Sequence, residues 1–173
     1  MTERFQRMYS VVMAWEGGYV NHPNDPGGET YRGISRRAHP HWEGWQYIDS
    51  KKAVPESLVA SFYYINFWNK LRCEDMPYPI GEYLFDFGVN AGIDRAARLV
   101  QSLVGVKVDG IVGEVTLSAI KRYDTKELMN RLLVERLDYY IGITLARKQL
   151  SVFFLGWVRR TLSTYKMLIG NNH

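Results

Sequence analysis

The sequence predicts a mainly α chain folded as one unit, with a loop region or small β-hairpin confined to residues 19–45. Three observations carry that expectation. Apolar residues recur at steps of three and four in one segment after another, the period of a helix with one buried face. Three of the six prolines fall within residues 19–45, together with the glycines of NHPNDPGGETYRG, and no long period fits there. Finally, 173 residues at 46% hydrophobic and 23% charged can bury a core without covalent staples, which the lone Cys73 could not provide.

Taken in order, Phe5, Met8, Val12 and Trp15 mark a first amphipathic helix, with Glu16 on its last turn. Gly17-Gly18 stops it, because glycine readily takes the left-handed geometry of a helix end. Helical spacing returns after Pro55 with Leu58, Phe62, Ile65 and Trp68. Pro77 and Pro79 separate that helix from one carrying Ile80, Leu84 and Phe87. The next runs from about Arg95 to Val104 and presents Ala96, Leu99, Val100 and Leu103. Val108-Asp109-Gly110 reads as an Asx turn, and Thr116–Ile120 as a short helix. Asp124-Thr125-Lys126-Glu127 is a capping box for a long helix that buries Leu128, Leu132, Leu137 and Ile141. A last helix carries Phe153, Phe154, Trp157, Val158 and Leu162. Cys73 reads as a small apolar filler.

The composition excludes a disordered or collagen-like chain and a cysteine-built zinc cage. His22, His39, His41 and His173 lack metal-ligand spacing, so no metal is expected. Gly-rich phosphate loops and RNA-binding aromatic signatures are absent, which argues against nucleic acid. The net charge of +4 favours a polyanionic partner without choosing one. MTERFQRMYS has no signal-peptide pattern, so the chain is expected in the cytoplasm where it is made.

The sharpest constellation lies at the start. Glu16 is followed nine residues on by Asp25 and five further on by Thr30. Met13, Trp15 and Tyr19 are placed to desolvate Glu16, and a helix C-terminus repels negative charge. Both effects favour a retained proton, as a general acid requires. Asp25, in a wet Asn/Gly-rich loop, would stay ionised. Two carboxyls held in opposite protonation states are the means by which glycosidic bonds are most often cleaved. On spacing alone, a surface glutamate at a frayed helix end and a turn-capping aspartate are the plainer reading, because a Glu and an Asp separated by a loop are common.

The surrounding words are more specific. Glu16-Gly17-Gly18-Tyr19, Asp25-Pro26-Gly27-Gly28-Glu29-Thr30 and Gly33-Ile34-Ser35 resemble the opening signature of the glycoside hydrolase family 108 N-acetylmuramidases. These are lysozyme-like proteins common among bacteriophage endolysins. Tyr63 with Phe67-Trp68, then Asp86-Phe87-Gly88-Val89-Asn90-Ala91-Gly92, resemble its middle motifs. Val108–Gly113, Thr116-Leu117 and Gly156-Trp157 resemble its C-terminal, peptidoglycan-binding half. The resemblance implies a lysozyme-like catalytic part over residues 1–90 and a helical C-terminal part over 91–173, packed as one unit.

It further implies that Glu16 protonates the glycosidic oxygen, with Asp25 and Thr30 completing a triad. The Asp-to-Thr gap is one residue shorter here than in related phage lysozymes, and His22 stands where the family more often has Asp. Tyr19, Tyr31, Trp68 and Asn90 are the candidate substrate-binding residues, with Trp42 and Trp45 as further rings that could face a sugar. Asn90 would either bond an N-acetyl group or cap a helix. The implied partner is peptidoglycan, with no cofactor and a monomeric chain that acts on the periplasmic wall after release from the host cytoplasm.

Three rivals are a lytic transglycosylase, a non-catalytic wall-binding or phage structural module, and a membrane-disrupting protein. The last rests on Arg147, Lys148, Arg159, Arg160 and Lys166, which follow Ala146 with no acidic residue among them and would offer the basic C-terminal helix to anionic outer-membrane lipid. The plainer reading of that stretch is a core helix with a solvated basic side.

Overall fold

The computed structural model describes residues 1–21 and 28–170, and it is mainly α. The chain divides into two compact units, Met1–Asn66 and Phe67–His173.

In the first unit, helix α1 (Glu3–Met13) opens at Thr2, whose hydroxyl accepts from the Phe5 N–H at 3.3 Å. It buries Phe5, Met8, Tyr9 and Val12. The helix ends one turn earlier than its apolar spacing predicts. Ala14 caps it in right-handed geometry, so Gly17-Gly18 is not needed for the stop, and Trp15 stands 40% exposed outside it.

Strands β1 (Tyr19–Val20), β2 (Thr30–Tyr31) and β3 (Ile34–Ser35) then form one antiparallel sheet in that order. Tyr31 faces Tyr19 on one side and Ile34 on the other. The β2–β3 connection is two residues long, Arg32-Gly33, both at positive φ (47° and 80°). That is the turn whose twist matches a hairpin.

Helix α2 (Gly44–Asp49) follows, a six-residue element too short to show a period in the sequence. Helix α3 (Glu56–Tyr63) continues into a π-helical stretch, Tyr64–Trp68. The wider turn rotates the register, so that Ile65 is 58% exposed while Trp68 is buried.

The second unit is built around helix α4 (Ile80–Ala91), which is buried at every position from Ile80 to Gly88. The carbonyl of Cys73 lies 2.2 Å from where a Cβ on Gly81 would be, so only glycine fits there. Helices α5 (Ile93–Leu103), α7 (Thr125–Ala146) and α8 (Ser151–Gly170) pack on α4, and α6 (Glu114–Arg122) lies between α5 and α7 in the chain. Helix α4 thus belongs to the second compact unit.

The N-cap half of the expected capping box at α7 is present: the Asp124 Oδ1 accepts from the Glu127 N–H at 2.7 Å. So is the Asx turn's aspartate bond, in which Asp109 Oδ1 accepts from the Ile111 N–H at 3.0 Å.

The buried sides of the last two helices differ from expectation. Helix α7 buries Leu128, Leu132, Arg136 and Tyr140, while Ile141 is 44% exposed. Helix α8 buries Arg160, Thr161, Thr164 and Leu168, while Phe153 is 55% exposed. The cause is a buried ion cluster. Asp86 on α4 meets Arg136 at 2.7 Å and Arg160 at 2.9 Å, and these contacts turn polar faces inward. Among the described residues no helix is long and apolar enough to cross a membrane.

Candidate active site

Glu16 is half-buried in the turn that follows α1, and its N–H donates to the Val12 carbonyl at 3.3 Å. It therefore sits just past the helix end rather than on the last turn. Trp15 and Tyr19, expected to desolvate it, stand 40% and 50% exposed. What meets its carboxyl is the hairpin turn. A Cβ on Gly33 would lie 2.6 Å from Glu16 Oε2 and 2.5 Å from the Tyr63 hydroxyl. The absent side chain at Gly33 is thus the space in which a carboxyl and a phenol converge. Gly33 is required twice over, by that crowding and by its positive φ.

Long-range contacts hold the turn. The Tyr63 hydroxyl donates to the Arg32 carbonyl at 2.7 Å, and the Arg32 N–H donates to the Gly18 carbonyl at 3.0 Å. The Arg32 guanidinium pairs with Glu56, whose other oxygen accepts from the Tyr9 hydroxyl at 2.5 Å. Partial burial pushes the Glu56 carboxyl up, but the bonds from Tyr9 and Arg32 outweigh it and hold its pKa below the usual carboxylate range. Burial, then the bond to Glu56, pushes the Tyr9 phenol well above its ordinary value.

A second ionic bridge spans the sheet and α2. Arg36 binds Glu29 and Asp49, each at 2.6 Å, and the hydrogen bond from Arg36 holds Asp49 low. Glu29 also accepts from the Tyr19 hydroxyl at 3.0 Å.

The other expected site residues divide. Asp25 lies outside the described residues, as does His22. Thr30 is on β2, with its hydroxyl donating to the Gly28 carbonyl at 3.3 Å. Strand alternation sends it to the sheet face opposite Tyr31. Tyr19 and Tyr31 are cross-strand partners and line a common cleft with α2 and the segment after it.

Trp68 requires a correction. It is 0% exposed, its ring lies 5.4 Å from Phe85, and its indole N–H donates to Glu74 at 3.1 Å. A ring closed to solvent cannot stack on a sugar. Asn90 belongs to the second unit, where its side-chain oxygen accepts from the Tyr140 hydroxyl. Trp45 is likewise buried, donating to the His39 carbonyl at 2.7 Å, whereas Trp42 is half-buried and stacks on Tyr31 with ring centres 6.1 Å apart.

The Tyr63 hydroxyl and the Glu56 clamp have no counterpart in the sequence-based expectation. Tyr63 enters there only as one ring of an aromatic helix, and no spacing rule links residues 16, 33 and 63.

Comparison with known proteins bears directly on these residues. The profile of a family described as Glycosyl hydrolase 108 matches residues 9–92, which contain Glu16, Gly33 and Tyr63. A second profile, described as a predicted peptidoglycan domain, matches residues 95–162. Twelve solved chains match. Among them is the structure of Brucella abortus SagA, 31% identical, with alignment covering 96% of this chain and 94% of that one at a TM-score of 0.80. No curated protein matches.

Proposed function

Because the chain belongs to the glycosyl hydrolase 108 family and is a muramidase-type glycoside hydrolase directed at peptidoglycan, we propose that it cleaves the β-1,4 bond between N-acetylmuramic acid and N-acetylglucosamine. Glu16 is the general acid. It gives its proton to the glycosidic oxygen as the bond from that oxygen to C1 breaks. Water adds to C1 from the opposite face, Asp25 takes the proton that the water loses, and Thr30 fixes that water. The stereochemical course is inversion, which requires the two carboxyls to stand about 6.5–9.5 Å apart. The biological role is lysis of a bacterial host by a phage endolysin acting on the wall after release from the cytoplasm.

The observation that carries this reading is the convergence of the Glu16 carboxyl and the Tyr63 hydroxyl on the empty side-chain position of Gly33. It holds a carboxyl against a turn that glycine alone suits, and that turn follows directly on Tyr31, whose side chain borders a cleft.

The test is clearing of a peptidoglycan suspension by the native chain and by Glu16→Gln, which keeps the shape and removes the acid. Clearing should fall by about a hundredfold or more with the melting temperature unchanged. A Gln variant that clears the wall at the native rate would remove Glu16 from the acid role, and a native chain that binds the wall without clearing it would move the protein to a wall-binding or structural role. Mass spectra of the native digest must show a reducing N-acetylmuramic acid end; an anhydro-sugar would assign a lytic transglycosylase instead.

A further inference from the structure

The cleft of about 440 Å³ beside the hairpin is lined by Tyr19, Tyr31, Ile48, Lys51, Lys52 and Val54 among others. It begins one residue from the Arg32-Gly33 turn that meets Glu16. Its two lysines carry the unexplained charge. The nearby acids are already engaged, Glu29 and Asp49 by Arg36, and Glu56 by Arg32 and Tyr9. Among the described residues neither Lys51 nor Lys52 makes an ion pair.

Lys51 also stands where the backbone favours glycine. At the end of α2 its N–H donates to the Ile48 carbonyl at 2.9 Å and that of Lys52 to the Tyr47 carbonyl at 2.8 Å. This paired closure puts Lys51 at φ +54°, in left-handed geometry that an L side chain takes only under strain. A helix end alone would be served better by glycine. The turn is closed by backbone groups and makes no use of the Lys51 ammonium group.

We propose that Lys51 and Lys52 form an anion-binding subsite for the carboxylates of peptide-bearing glycan strands, while Tyr19 and Tyr31 supply the ring faces against which the sugar lies. The assignment rests on the hydrolase reading above. Two flexible point charges suit mobile stem-peptide carboxylates better than the rigid fork of an arginine. The subsite selects wall glycan that carries peptide acids over neutral glycan of the same backbone.

The experiment uses soluble peptide-bearing glycan strands, with their carboxyls free or converted to amides. Binding is measured on the full chain carrying Glu16→Gln, and cleavage on the native chain. Amidation should weaken binding about three- to tenfold. Lys51→Gly/Lys52→Gln should lose the same factor on free-carboxyl strands and nothing more on amidated ones. Lys51→Gly alone should melt at or above the native temperature, since it relieves the left-handed strain, so its loss of affinity cannot be misfolding.

Arg7→Gln/Lys70→Gln removes the same net charge at exposed positions outside the cleft lining and outside residues 95–162, and should bind as the parent does. The proposal is overturned if the Lys51/Lys52 variant keeps the preference for free carboxyls, or if the Arg7/Lys70 variant loses as much. Lysine-dependent binding without any cleavage by the native chain would overturn the hydrolase reading and leave the subsite standing.

Discussion

In the first unit the paired charges lie at the surface around a two-residue turn. In the second, an aspartate and two arginines are sealed inside an apolar shell of helices. The Glu56 side chain is 59% exposed and its partner Arg32 26%, whereas those of Asp86 and Arg136 are at 0%. Exposed pairs of the first kind add roughly 0–1 kcal/mol each, so their main effect is to orient the strands and the turn beside Glu16. The buried cluster is held under much larger opposing terms, desolvation against attraction, and its effect is all-or-none. Charge serves position in one unit and helix register in the other.

The strongest way to break the contrast is Asp86→Ala. Two buried guanidinium groups would lose their common partner, and unfolding free energy should fall by about 3–5 kcal/mol. Denaturant titration reads this directly. A loss under about 1 kcal/mol would mean that water reaches the arginines and that the cluster is not sealed.

Gly33→Ala comes next and acts the other way round, on function more than on stability. Its Cβ would press on Glu16 Oε2 and the Tyr63 hydroxyl, in a backbone geometry that costs a further 1–2 kcal/mol or so. Displacing the carboxyl should slow wall clearing about a hundredfold while the fold survives. Equal activity of the Ala variant would separate Gly33 from the site.

The smallest effect belongs to Glu56→Gln. Because the folded-state pKa of Glu56 is depressed, its contribution is present above the unfolded value of about 4.3 and fades as pH falls below it. Native stability should therefore drop between neutral pH and about pH 3, and that drop should be shallower in the Gln variant. At pH 7 the variant should lose only about 0.5 kcal/mol. Parallel acid profiles for the two proteins would show that the clamp has no linkage to folding.

Much of the helical frame was legible in the sequence. The spacing of Phe5, Met8 and Val12, the cap at Asp124 and the Asx turn at Asp109 are local devices, readable from residues three or four apart. Helix α2 was not, because six residues cannot display a period. Nor was the π-helical turn that removes Ile65 from the core. The inward faces of α7 and α8 were missed because apolar spacing ranks arginine as a surface residue, and nothing local to Arg136 or Arg160 announces Asp86. Within the candidate site, Glu16 stood out through its motif. The left-handed lysine at the end of α2 was hidden because its neighbours do not reveal a φ angle.

The sequence by itself therefore determined the helical class, most helix positions, and a loop region with a small β element after Glu16. Those properties follow from forces between near neighbours along the chain. Which groups meet that carboxyl, which ring is closed to solvent and which cations face a cleft were decided only by the tertiary structure. Contacts among residues 16, 33 and 63 arise when distant segments compete for the same buried space, and no periodicity records the outcome of that competition.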